Sequence, residues 1–295
     1  MTRFLDVRAL WGSGCVSNSV QLKKWAGGAN YADHSQYIDL ALADLLSYTH
    51  GKHVLIATHG FNVNRADGIQ TLCSWEKLLS RSDVPAFLGL LWPGDSESLH
   101  ALSYPEEPKN AMAAGSMIAQ YIDSNFQDAA SISLVSHSLG ARVVLQTASQ
   151  MSRPLRRLIL MAGAVGDDCF TGEFSSVPGK VESISLLASK EDEVLRWAFP
   201  IGDFVSEIVD HDHPWWESAL GRSGARQRPA HYLGPCQIPD EWDFGHGNYL
   251  QVNPPAPAVI PPPTDVPQNA LPLPISGLPG WQPAWSASFV STRFR

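Results

Sequence analysis

The sequence predicts an α/β architecture, a mostly parallel central sheet flanked by helices. Two observations carry this: a series of short apolar runs without polar alternation, and helical patterns filling the gaps between them. A third sets the scale. The 295 residues suffice for one large domain or two small ones, and 44% are hydrophobic against 17% charged, which allows a sizeable core.

The elements follow in order. Tyr37 to Tyr48 places Ile38, Leu40, Ala41, Leu45 and Leu46 on one broad side, a helical pattern ahead of the first clear strand. His53–Thr58, Ala86–Trp92 and Ser131–Ser136 are the three clearest apolar runs, and they suit strands buried on both faces of a parallel sheet. Leu158–Ala162 and Val181–Ala188 are two more. Helical patterns at Gly68–Leu79, Pro105–Phe126 and Leu139–Met151 occupy the intervening gaps. Right-handed crossovers would bring the strand-to-helix loops to one sheet edge, where such folds bind ligands.

From Asn253 to Pro283 prolines recur, removing backbone donors, so the pattern excludes a helix or a central strand there. This divides the chain into a main domain over residues 1–252 and a proline-rich extension over 253–295, either packed on the domain or a flexible linker. Trp281, Trp285 and the interspersed aliphatic residues favour packing.

Charge and composition narrow the function. A formal net charge of −8 argues against a nucleic-acid binder, which needs a basic face. Residues Met1–Asn18 show no signal-peptide pattern, and no apolar stretch approaches the length of a membrane span, so a cytoplasmic location is expected. Cys15, Cys73, Cys169 and Cys236 form no CxxC pair; they read as buried free thiols, or as two disulfides in an exported protein.

The strongest chemical signal is Ser136-His137-Ser138-Leu139-Gly140, set between a buried strand and an Ala/Val/Leu-rich helix. That is the context of a nucleophile elbow, where a sharp turn holds the serine Oγ clear of the sheet and small neighbours let strand and helix pass closely. The second is Thr58-His59-Gly60-Phe61-Asn62 at the end of an earlier strand. Such a loop can lend a backbone N–H, here that of Phe61, to a developing oxyanion beside the N–H of Leu139.

Together with Leu91-Trp92-Pro93-Gly94, these motifs resemble those of a bacterial branch of the α/β-hydrolase superfamily, which usually reads His-Gly-Tyr/Phe-Asn, Trp-Pro-Ser and Ser-His-Ser-Met-Gly. The resemblance runs from about Lys52 to Tyr249, with Gly94 standing where the branch often has serine. It implies the α/β-hydrolase fold and a Ser-Asp/Glu-His triad but fixes no substrate.

The base and the acid should follow the serine in that chain order. His246, in Gly245-His246-Gly247-Asn248-Tyr249, matches the Gly-His-Ser-Tyr loop of similar hydrolases. His59 and His137 precede the serine and read as structural or pocket-lining, hence candidate substrate contacts; His231 opens a possible last strand. For the acid, Asp192 occupies the loop after the Val181–Ala188 strand, the position of the catalytic aspartate in similar hydrolases. Asp167 and Asp168, after the preceding strand, are the alternatives.

Trp197, Phe199, Phe204, Trp215 and Trp216 crowd the stretch between acid and base. They suit an aromatic cap at about residues 196–228 that forms an apolar acyl pocket, or ordinary helix packing. Asp210-His211-Asp212-His213 has metal-ligand residue types, but adjacent side chains on a loop rarely converge on one ion, so it reads as a polar loop.

These readings lead to an expected reaction: hydrolysis of a small ester with an apolar acyl group through an acyl-enzyme, without cofactor or metal. An acyltransferase or amidase on the same triad, or a non-enzymatic binding protein on a hydrolase scaffold, are the alternatives.

Overall fold

A computed structural model of the chain describes residues 1–9, 15–79, 84–95, 107–196, 218–233, 237–249 and 281–295. Its centre is a mixed, mostly parallel eight-stranded sheet flanked by helices. The strands are β1 (Arg3–Arg8), β2 (Val16–Trp25), β3 (Tyr37–Asp39), β4 (His53–Thr58), β5 (Ala86–Leu91), β6 (Ser131–His137), β7 (Arg157–Met161) and β8 (Ile184–Leu187). Their order across the sheet is β3-β2-β1-β5-β4-β6-β7-β8. β2 runs antiparallel to both β1 and β3, and every pairing from β1 to β8 is parallel.

The parallel strands are buried because helices cover both faces. β5 is buried throughout, β4 is buried from its second residue onward, and β6 is buried over 132–136. The helices are α1 (Leu42–Thr49), α2 (Arg65–Leu78), α3 (Glu107–Asn125), α4 (Gly140–Gln150), the short α5 (Leu220–Ser223) and α6 (Trp281–Phe294). The β4-α2-β5 connection moves across the sheet in the opposite direction to β5-α3-β6 and β6-α4-β7. With right-handed crossovers, α2 therefore lies on one face while α3 and α4 share the other. The packing agrees: α3 lies against α4, and α6 contacts both α2 and β7.

The structure corrects four expectations. Tyr37–Asp39 is an edge strand on β2, not the first turn of a helix; α1 begins only at Leu42. At the C-terminus, α6 extends the structured domain and contains Pro283. That proline sits in the first helical turn, where the missing N–H has no intrahelical partner to lose. Cys15 is exposed, whereas Cys73 and Cys169 are buried, and all three are free thiols. The possible strand at His231 is reduced to parallel bridges of Tyr232 and Gln237 beside β8.

Candidate active site

The loops that leave the C-terminal ends of β4, β5, β6 and β8 bring the chemistry together. At the end of β6 the chain turns sharply into α4, and the turn is made at Ser138, whose φ of 54° lies in the left-handed region. Backbone bonds hold it there. The Ser138 N–H donates to the Met161 carbonyl at 3.0 Å, and its carbonyl accepts from Ala141 at 3.0 Å and Ala164 at 3.1 Å. Gly140 is required by close approach, since a Cβ there would lie 2.4 Å from the His59 carbonyl oxygen.

Asp192 is wholly buried at the start of the helical turn 193–196. Its Oδ1 accepts from the Leu195 N–H at 2.9 Å, an N-cap bond that leaves the other oxygen directed elsewhere. Oδ2 accepts from Nδ1 of His246 at 2.7 Å, and Nε2 of His246 lies 2.8 Å from the Ser138 Oγ. Ser138, His246 and Asp192 thus form one continuous hydrogen-bonded chain. The alternative acids face elsewhere: Asp167 pairs with Arg226 at 2.7 Å, and Asp168 lies 3.7 Å from the same guanidinium.

His246 sits in a short 3-10 turn, His246–Asn248. His137 supports it from below. The Nε2–H of His137 donates to the His246 carbonyl at 2.8 Å, and the two rings lie 4.8 Å apart. Burial, reinforced by the neighbouring His246, pushes the His137 imidazole down to about 3, so it is neutral at ordinary pH. On the other side of the loop Phe244 packs against Tyr249 at 4.9 Å and against Trp285 of α6 at 5.3 Å.

The loop after β4 closes on the serine: a Cβ on Gly60 would stand 2.7 Å from the Ser138 Cβ, so only the bare backbone fits. Nδ1–H of His59 donates to the Gly60 carbonyl at 2.9 Å, and in a trans peptide this directs the Phe61 N–H away from the His59 ring. His59 itself is 1% exposed and stacks on Trp92 at 5.8 Å, and Trp92 Nε1–H donates to the His59 carbonyl at 3.0 Å. Burial lowers its pKa to about 3. The expectation that His59 lines a substrate pocket is therefore corrected: it is a core residue behind the loop. Asn62, with a φ of 55°, donates its N–H to the Gly94 carbonyl at 2.6 Å, which fastens this loop to the Trp92-Pro93-Gly94 segment.

Trp197, Phe199, Phe204, Trp215, Trp216 and the Asp210–His213 cluster lie outside the described residues. Among the described residues no group of three or more His, Cys, Asp or Glu side chains could hold a metal ion. No described helix is long and apolar enough to cross a membrane. The sequence reading gave no role to Arg8, Trp92 or Tyr249. The Leu91-Trp92-Pro93-Gly94 motif is the available signal for Trp92, while nothing in the sequence pattern singles out Arg8.

The profile of the family described as "Alpha/beta hydrolase of unknown function (DUF900)" matches residues 36–227, well over half of the chain. This agrees with the resemblance read from the motifs. No curated protein matches. Among solved structures, esterase PE8 is similar at 16% identity with a TM-score of 0.37, over 68% of this chain and 86% of its own. Phospholipase PlaB from Legionella pneumophila, in complex with thio-NAD, is similar at 14% identity with a TM-score of 0.32, over 47% of this chain and 38% of its own.

Proposed function

The chain belongs to that α/β-hydrolase family, and on this premise we propose that it hydrolyses carboxylic esters through an acyl-enzyme. The observation that carries the reading is the hydrogen-bonded chain from Ser138 through His246 to Asp192, at 2.8 Å and 2.7 Å, with the serine on a left-handed elbow.

In this reading His246 accepts the Ser138 proton as Oγ attacks the ester carbonyl. Asp192 keeps the imidazole in the tautomer with its proton on Nδ1 and offsets the positive charge that forms. The Phe61 and Leu139 N–H groups bind the oxyanion, and Leu139 contributes from the N-terminus of α4, where the helix dipole favours negative charge. His246 then returns the proton to the leaving alcohol, and a water activated by the same residue releases the acid. Neutral His137 adds no positive charge beside the imidazolium.

Fluorophosphonate labelling of the full chain, with the adduct mapped by peptide mass spectrometry, tests the reading alongside turnover of p-nitrophenyl esters. The expected adduct is on Ser138. An adduct elsewhere, or ester turnover undiminished in Ser138→Ala, overturns it.

A further inference from the structure

Arg8 ends β1, ahead of the residues that the family profile matches. Its side chain is wholly buried, and its contacts converge on two loops beside the serine. Nη1–H donates to the Trp92 carbonyl at 2.9 Å and to the Val63 carbonyl at 3.3 Å, while Nη2 pairs with the Asp95 carboxylate. Val63 is two residues beyond Phe61, and Trp92 leads into the segment that binds the Asn62 N–H.

The Arg8 backbone is itself held in place at the end of the strand. The Arg8 N–H donates to Asp6 Oδ1 at 2.9 Å, and its carbonyl accepts from Gln21 Nε2 at 3.0 Å. Asp6 Oδ2 accepts from the Tyr37 hydroxyl at 2.9 Å and lies 3.2 Å from Nε of Arg65, which begins the helix after the loop. A buried ionic group is a poor way to fill space, because desolvation costs as much as pairing returns and an apolar side chain fills it as well. What the fork adds is direction: it presents several donors in one plane and binds two carbonyls from different loops at once.

We propose that Arg8 is a positioning residue for the oxyanion loop: it locks the Val63 and Trp92 carbonyls together, and so fixes the Phe61 peptide beside Ser138. The proposal rests on the reading of Ser138 as nucleophile and Phe61 as oxyanion donor. A misplacement of about an ångström at such a donor is worth on the order of 100-fold in rate. Arg8 touches no substrate in this scheme.

The test compares Arg8→Met and Arg8→Lys with the wild type, all as full chains. In Arg8→Met, kcat for a p-nitrophenyl ester is expected to fall about 100-fold with KM little changed. Affinity for a trifluoromethyl ketone, which mimics the tetrahedral oxyanion, should fall in parallel, with Arg8→Lys intermediate because it restores a charged donor group but not the planar fork. Amide hydrogen exchange should quicken over residues 59–64 but not over the Ser138 elbow. Wild-type kcat and ketone affinity in folded Arg8→Met, or unchanged exchange over 59–64, overturns the proposal. If Arg8→Met does not fold, the same readouts on Arg8→Lys decide. If the wild type turns over no ester, the functional reading fails while the exchange comparison still decides whether Arg8 holds the loop.

Discussion

The Nε2–H of His137 donates to the backbone carbonyl of His246 at 2.8 Å, so the residue beside the proposed nucleophile anchors the loop that carries the proposed base. The bond is made through the main chain and leaves both ring nitrogens of His246 available, one for Asp192 and one for Ser138. Removing this donor strands a carbonyl in a partly buried position, a loss of about 1–3 kcal/mol. His137→Phe is therefore expected to lower kcat about tenfold or more in steady-state assays, while His137→Gln, which can still donate, loses less. A phenylalanine variant as fast as the wild type would show that the loop needs no such anchor.

Asp192 and the Asp167–Asp168 pair give a sharper contrast. Asp192→Asn preserves size and the cap on Leu195 but favours the wrong tautomer of His246. Its kcat should drop on the order of 10⁴-fold, the scale seen for the equivalent change in a serine protease. Asp167→Asn and Asp168→Asn loosen only the contacts with Arg226 and should retain most activity. Parallel kinetics of the three variants settle which carboxylate acts.

Acid stability follows from the two buried imidazoles. Burial is the main cause that lowers His59 and His137 to about 3 in the fold. The unfolded chain takes up a proton at each site below about pH 6.5. Between these limits the unfolded state binds more protons, so stability falls as pH falls, by about 1.4 kcal/mol per pH unit for each histidine. His59→Phe preserves a ring against Trp92 and removes one titrating site. Urea denaturation at about pH 6, 5 and 4 should show a slope shallower by roughly one proton. An unchanged slope would mean that His59 carries its proton in the fold.

The C-terminal helix packs on the residues that precede the proposed base. Trp285 is buried and lies 5.3 Å from both Phe244 and Trp242, on the residues that lead into the His246 turn. Trp285→Ala should cost about 3–5 kcal/mol in chemical denaturation and lower kcat at a temperature where the variant remains folded. A destabilised variant with unchanged kcat would separate α6 from the chemistry.

How much of this was legible in the sequence depended on what each residue type signals. β4 was readable because Val54–Ala57 is buried on both faces and therefore apolar throughout, with Gly60 marking its exit. The Ser138 elbow was readable because its small neighbours are forced by contact, as Gly140 against the His59 carbonyl shows. β1 was missed because Asp6 and Arg8 break its apolar run; both are buried, but in ion pairs that only tertiary structure brings together. β2 is half-exposed and polar, and an antiparallel strand of that kind carries no apolar run. At Tyr37–Asp39, helical spacing of Ile38 and Leu40 with the residues that follow masked a three-residue strand. α6 was hidden by the prolines before it, since Pro283 stops a helix only when it lies beyond the first turn.

The left-handed φ of Ser138 sets stability against use in the evolution of this site. A side chain at such an angle works against folding by on the order of 1 kcal/mol, and glycine would remove the penalty. Ser138→Gly is thus a change that favours the fold and removes the proposed nucleophile. A folded Ser138→Gly variant would therefore measure how much stability the elbow gives up to hold an Oγ at this point.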